Sequence, residues 1–390
     1  MKNTIKHGGD REGFVAATGK EPLDFSINLN PLGIPESVVN AFCEAAMEAR
    51  YPDPDCRELT AALAKKYGIR SEEVLCGNGA SDLIFRYFRA IGLSQVLLPV
   101  PTFSEYPGAV HSAGGHCIYL PLREEDGFVL KDNVIDILDG SATGAGLFAG
   151  EELHLPVPEV SGKIDCLVLI NPNNPTGRLI EEPLFWETLK VARDRNVRVF
   201  IDACFLPLTG ISDLSYPDFL KEYPNVFILG AFTKSHAMAG MRLGYGFSAD
   251  TELMGKMRES GPTWSVSRPA QVAGIAALSE QDYLKEAVEL ITREREKIIR
   301  ELINLGFKVI PSDANFLMFG SNKELAEPLS REGIMVRDLN NEVGIRNLAV
   351  SSASGEGGKA DMYWYRVTVR KPEDNQTLLS ALRQIQGVGF

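Results

Sequence analysis

The chain of 390 residues predicts an α/β fold, with a large domain built on a mainly parallel seven-stranded sheet and a smaller α+β C-terminal domain. Three observations carry this expectation. From about residue 71 to 250, short apolar runs alternate with amphipathic stretches of helix length, the pattern of repeated βα units. Several of those runs are apolar throughout, as strands covered by helices on both faces are. After residue 250 the texture changes to one long charged helix, several separate strands and a last helix.

The elements follow in order. An extended N-terminal arm is expected over 1–35, the large domain over 36–255 and the small domain over 256–390. The large-domain strand candidates are Val74–Cys76, Gln95–Val100, His116–Leu120, Ile164–Ile170, Val197–Ile201, Val226–Leu229 and Leu243–Phe247. The small domain is expected to hold a helix over about Glu280–Leu305. Strands are expected near Phe307–Ile310, Asn315–Phe319, Ile334–Arg337 and Tyr365–Val369, and a last helix from Pro372 to Gln386. Asp139–Gly162 and Asn340–Lys359, rich in Gly, Ser and Ala, read as surface insertions or lids.

Composition narrows the function classes. A hydrophobic content of 44% with 24% charged residues suits a soluble globular protein. The net charge of −12 argues against a nucleic-acid or anionic membrane partner, while leaving room for a local basic pocket. The six cysteines show no paired metal spacing and read as reduced, mostly buried thiols. No metal is expected. The N-terminus lacks an apolar signal core and no apolar run is long enough to span a bilayer, so a cytoplasmic protein is the expectation.

An α/β sheet places its ligand at the carboxyl ends of its strands, and five motifs fall there or close by. Lys234, in Gly230–Gly246, lies between two apolar strand candidates. Such a lysine has a lowered pKa and serves as an amine nucleophile toward an aldehyde. Thr233 beside it and Arg242 after it suit a phosphate. In Cys76-Gly-Asn-Gly-Ala-Ser-Asp-Leu-Ile, Gly79 precedes a helix opening at about Ala80. Glycines let the backbone approach an anion, and free N–H groups of the first turn can hold a phosphate, although an ordinary capped turn has the same look. Asn171-Pro-Asn-Asn-Pro-Thr-Gly177 is a rigid turn whose asparagine amides become fixed donors. Asp202 ends an apolar strand, where a carboxylate needs a cation, either a structural arginine or a protonated ring nitrogen. Arg366 and Arg370 share one face of a late aromatic strand, and that setting favours bidentate binding of a carboxylate by at least one of them.

Together, Lys234 with Arg242, Asp202, Asn174 in Asn-Pro-Thr-Gly, and Arg366 resemble the fold-type-I pyridoxal-phosphate enzymes. The likeness is strongest to the class I/II aminotransferase branch that contains histidinol-phosphate aminotransferase, and it covers nearly the whole chain in order. The resemblance implies pyridoxal 5'-phosphate as cofactor, bonded through its aldehyde to Lys234. It implies Asp202 on the pyridinium nitrogen, which makes the ring an electron sink, and Asn174 on the ring O3′. The Gly79 turn, the Ala80 and Ser81 amides, Thr233 and Arg242 would hold the phosphate, and Phe103 would stack on the ring. Tyr51 resembles a tyrosine that crosses a dimer interface to the neighbouring phosphate, which implies a homodimer with shared active sites.

The N-terminus sharpens the resemblance. His7-Gly8-Gly9-Asp10, then Leu23–Gly33 with Asn28, is similar to the threonine-phosphate decarboxylases of cobalamin biosynthesis. Phe205, where most aminotransferases of the branch carry tyrosine, and Tyr365–Arg370 point the same way. This implies a phosphorylated amino-acid substrate, with Arg366 on its α-carboxylate. Arg337 and the N-terminal residues His7, Gly8, Gly9 and Asn28 would take its phosphate. The chain departs from the branch at Ala203, usually Glu, and at Ala231, where a phosphate-binding hydroxyl is common. Three activities stay open: decarboxylation of an O-phospho-L-threonine-type substrate, transamination of the histidinol-phosphate, aromatic or aspartate type, and a catalytically silent regulatory role.

Overall fold

A computed structural model describes residues 8–92, 94–141, 147–149, 163–211, 215–345 and 362–387, with the backbone alone at 148 and 149. After a short strand Leu23–Asp24 (β1), the large-domain strands are Val74–Gly77 (β2), Gln95–Val100 (β3), His116–Pro121 (β4), Phe148–Ala149 (β5), Cys166–Ile170 (β6), Arg198–Asp202 (β7), Val226–Ala231 (β8) and Gly244–Phe247 (β9). They form one sheet in the order β2-β9-β8-β7-β6-β3-β4-β5. The seven expected strands all form. The sheet has eight because β5, inside the stretch read as a surface insertion, pairs antiparallel with the edge strand β4. Residues 142–146 and 150–162 lie outside the described residues.

Alternation along each strand explains why both faces are covered. Leu97, Leu167, Val199 and Ile228 enter the core on one side of the sheet. Their sequence neighbours Val96, Val168, Phe200 and Phe227 enter the core on the other. Burying each such side chain contributes roughly 1.5–3 kcal/mol, so a one-residue slip in register would exchange two packed faces at once. Strand direction decides where the chemistry sits. β3, β6, β7 and β8 run parallel. β9 runs antiparallel to both its neighbours, so Arg242, just ahead of it, lies at the edge reached by the carboxyl ends of the others.

The small domain contributes Lys308–Ile310 (β10), Phe316–Ser321 (β11), Ile334–Met335 (β12), Arg337–Asp338 (β13) and Tyr363–Thr368 (β14). Four of them form an antiparallel sheet in the order β10-β11-β14-β13. Helices Tyr283–Asn304 and Pro372–Gln386 supply Ile298, Leu302, Leu378 and Leu382 to the core that Leu317, Phe319 and Val367 share. The single strand expected over Ile334–Arg337 is two, because β12 pairs with β1 and β13 with β14.

The N-terminal arm is not extended throughout. It holds a helix, Arg11–Thr18, whose Asp10 cap accepts from Gly13 N, and then β1, which joins the arm to the small domain in parallel with β12. Phe25, fully buried, joins the small-domain core. The helix Arg268–Leu278 packs on Glu36–Ala46 and Arg57–Tyr67 and places Ala270, Ala273 and Ala277 in the large core. Among the described residues, no helix is long and apolar enough to cross a membrane, all six cysteines are free, and no group of side chains could hold a metal.

Candidate active site

Where the strand ends of the large sheet face β13 and β14, a cavity of about 280 Å³ opens. Its floor begins with an anion cradle. β2 ends at Gly77, and the chain turns through Gly79 (φ +82°) into the helix Ala80–Ile91. A Cβ on Gly79 would stand 2.6 Å from the Arg242 guanidinium, and one on Gly244 would stand 2.7 Å from the Gly79 carbonyl carbon. Glycine at both positions lets the loop, the helix start and Arg242 converge. Ala80, Ser81, Thr233 and Arg242 all line the cavity there. Thr233 Oγ1 is buried without a partner, a cost of about 1–3 kcal/mol that a bound anion relieves. With the free N–H groups of the first helical turn, this corner fits a phosphate.

Next to the cradle stand a carboxylate and an amine. Asp202 ends β7 with Oδ2 accepting from Tyr106 Oη at 2.8 Å and Oδ1 accepting from Cys204 N at 3.0 Å. Both donors are neutral, so they fix the carboxylate without cancelling its charge. Lys234 lies in the short helix Phe232–Ser235 after β8, its Nζ 5.6 Å from the centre of the Phe205 ring. Burial foremost, then Arg366, pulls the lysine down to about 8, which brings its neutral, nucleophilic form within reach of ordinary pH.

The opposite wall is cationic. Arg366 on β14 is 8% exposed and donates to Ser26 O at 2.6 Å and to Asn174 Oδ1. Its Nε is buried without a partner. Burial, then Arg337, lowers its pKa. Arg337 on β13 stands directly across from Arg366 in the strand register and is ion-paired with Glu342. Asn28 Oδ1, also on this wall, is buried without a partner. Gly8 closes the rim, where a Cβ would strike Ser26 O at 2.4 Å.

The structure thus gathers Lys234, Asp202, Asn174, Ala80, Ser81, Phe103, Thr233, Arg242, Gly8, Asn28, Arg337 and Arg366 around one cavity. Gly79 stands behind Arg242 and shapes the cradle without lining it. Gly9 anchors the rim by donating to Ser26 Oγ at 2.8 Å. His7 lies outside the described residues. Tyr51 is 77% exposed and stacks on Trp264 at 4.8 Å, outside the cavity of its own chain. Arg370 is structural, held by Asp374 and Asp24 O. Three contributors escaped the sequence reading. Tyr106 follows Phe103 by three residues, and that spacing could have shown it. Ser26 holds Arg366 through its carbonyl, which every residue has, and Gly9 through its hydroxyl. Glu342 falls in the stretch read as a surface lid, yet its side chain is only 12% exposed.

Comparison with known proteins places this geometry in a lineage. The family described as aminotransferase class I and II matches residues 20–382. The threonine-phosphate decarboxylase of Salmonella typhimurium is 30% identical over 387 residues, covering 97% of this chain and 96% of that one. Histidinol-phosphate aminotransferase 2 of Carboxydothermus hydrogenoformans is also 30% identical, over 92% of this chain and 89% of its own. The histidinol-phosphate aminotransferase of Sinorhizobium meliloti, solved with pyridoxal-5'-phosphate, superposes with a TM-score of 0.77 at 21% identity, over 97% of this chain and 94% of the other. With the family match spanning the strands, the cradle and the cationic wall alike, the chain belongs to the class I and II aminotransferases and is a pyridoxal-phosphate-dependent enzyme of that family.

Proposed function

We propose that this enzyme decarboxylates an amino acid bearing a phosphate, of the O-phospho-L-threonine type. The observation that carries the reading is the pair of arginines, Arg366 and Arg337, standing opposite each other on the wall that faces Lys234. One guanidinium suits an α-carboxylate and the second suits a distal anion. The N-terminal rim at Gly8 and Asn28 adds to the distal side, and a decarboxylase of a phosphorylated amino acid is among the relatives.

The residues fit pyridoxal 5'-phosphate. The cradle at Ala80, Ser81, Thr233 and Arg242 would hold its phosphate, with Thr233 Oγ1 supplied with a partner. Asp202 would hold a proton at the ring nitrogen, and Phe103 would flank the ring. Asn174, whose Oδ1 already accepts from Arg366, keeps its amide N–H groups for the ring oxygen. When bound, the cofactor supplies an electron sink for the pair released by a bond broken at the substrate Cα. Lys234 then delivers a proton to Cα, or removes one from it in transamination. Which bond is set up to break depends on how Arg366 and Arg337 orient the substrate. Tyr51 and Trp264, exposed side by side with Met47 also bare, support a homodimer in which Tyr51 reaches the partner's cofactor phosphate.

Transamination is the second reading, favoured by the equal identity of the histidinol-phosphate aminotransferase relative. The test is incubation of the cofactor-loaded enzyme with O-phospho-L-threonine, O-phospho-L-serine or histidinol phosphate, each with 2-oxoglutarate. Carbon dioxide without glutamate supports decarboxylation. Glutamate without carbon dioxide overturns it in favour of the aminotransferase.

A further inference from the structure

Arg337 is not a free cation. Its guanidinium is ion-paired with Glu342, five residues on, and both side chains are about nine-tenths buried. The backbone carrying Glu342 is pinned at three points. Leu339 N donates to Trp364 O at 3.0 Å, Glu342 N to Leu339 O at 2.9 Å, and Ile345 N to Glu342 O at 3.1 Å. Gly344, at φ +90°, closes the turn against the large domain, where a Cβ would meet Pro101 N at 2.8 Å. The main chain of Glu342 is thus held in place, and only its side chain has freedom to turn.

The pairing has an electrostatic reason. Two guanidiniums opposed across β13 and β14 repel, and a buried cation without a partner costs several kcal/mol. Glu342 offsets this, and it acts on Arg366 against the depression that Arg337 causes. A substrate whose side chain carries an anion asks for the same guanidinium. A phosphate brings nearly two charges and three acceptor oxygens, whereas Glu342 brings one charge and two oxygens. A neutral side chain brings nothing that displaces it.

We infer that Glu342 is a specificity-determining residue: an intramolecular stand-in for the substrate's distal anion, which holds Arg337 until a more strongly anionic side chain takes its place. The inference deepens the reading of a phosphorylated substrate and rests on it for the nature of that anion. It implies that part of the binding energy of the distal anion is spent on displacing Glu342. Removing the Glu342 charge tightens ligands that carry a distal anion far more than ligands that lack one.

The test uses inorganic phosphate as the probe, titrated by calorimetry into cofactor-loaded wild type, Glu342→Gln, Arg337→Gln and the double variant. In loaded protein the cradle is filled, so added phosphate reports on the distal side. Glutamine keeps the length and a hydrogen bond to Arg337, and matched thermal midpoints confirm folding. Glu342→Gln is expected to bind phosphate about tenfold tighter than wild type. The two variants lacking Arg337 are expected to bind weakly and equally. The KM for O-phospho-L-threonine falls in parallel, and binding of L-threonine, which lacks the distal anion, moves far less. Phosphate binding that is unchanged or weaker in Glu342→Gln overturns the inference, as does tightening that persists without Arg337. If phosphate tightens as expected but no enzyme form turns over O-phospho-L-threonine, the role of Glu342 stands and the proposed substrate falls.

Discussion

The two walls of the cavity are built on opposite principles. The cofactor wall comes from one sheet edge, where short contiguous runs after β2, β7 and β8 deliver their side chains. It is left wanting a ligand: Thr233 Oγ1 has no partner and Asp202 is held only by neutral donors. The substrate wall draws on the N-terminal arm, the Asn-Pro-Thr-Gly turn and two strands of the small domain. Its guanidiniums are already engaged, Arg366 on Ser26 and Asn174 and Arg337 on Glu342, while Arg366 Nε and Asn28 Oδ1 are left for a ligand. A wall whose carboxylate has only neutral donors suits one fixed cationic group. A wall that pairs its own charges can release and recapture them, which suits a substrate that comes and goes.

The sharpest way to break this contrast is at Lys234. Lys234→Ala should abolish the visible absorbance of the bound cofactor and lower turnover by about 10⁴-fold or more. A borohydride-stable cofactor adduct surviving in that variant would show that another amine attaches the group. Asp202→Asn comes next, with kcat down about 10²–10⁴-fold and cofactor still bound, as judged by absorbance. Unchanged kcat would remove Asp202 from the catalytic set. On the other wall, Arg366→Gln should raise KM for amino acids about 10²-fold while the cofactor spectrum stays put. Loss of the cofactor instead would mean that the walls are not separable.

Two smaller effects test the cofactor wall's interior. Because burial depresses Lys234 to about 8, its amine is protonated below that pH and neutral above it. Uptake of cofactor by cofactor-free enzyme should rise about tenfold per pH unit from below and level off near pH 8. A rise that continues to pH 10 would show an ordinary, solvated lysine. Tyr106→Phe removes one donor from Asp202 and should cost about 1 kcal/mol, read as a several-fold fall in kcat with KM nearly constant. A matching change in KM alone would make Tyr106 part of substrate binding.

Much of the cofactor wall was legible in the chain because each contribution is local. The Gly79 turn, Asp202 at a strand end and Lys234 between two apolar runs each announce themselves within a few residues. The strands were legible for a related reason. A run buried on both faces has no polar alternation to blur it, as Leu97 and Val96 show by facing opposite cores. The substrate wall was only half visible. Arg366 stood out as a cation in an aromatic strand and Arg337 entered through the family resemblance, but their opposition depends on a strand register across 29 residues. Glu342 looked like part of a polar lid, since nothing near it in sequence shows that Gly344 brings the turn against Pro101.

By itself, the sequence determined the fold class and, through the family its motifs resemble, the cofactor and the residues proposed to meet it, because strand burial and short loop motifs are encoded by neighbours along the chain. Tertiary structure decided what remained: that the arm belongs to the small domain through β1 and β12, that Tyr106 fixes Asp202, and that Arg337 is already paired. The physical reason is distance. A hydrogen bond or ion pair is a property of a few ångströms in space, and only packing brings residues far apart in the chain that close.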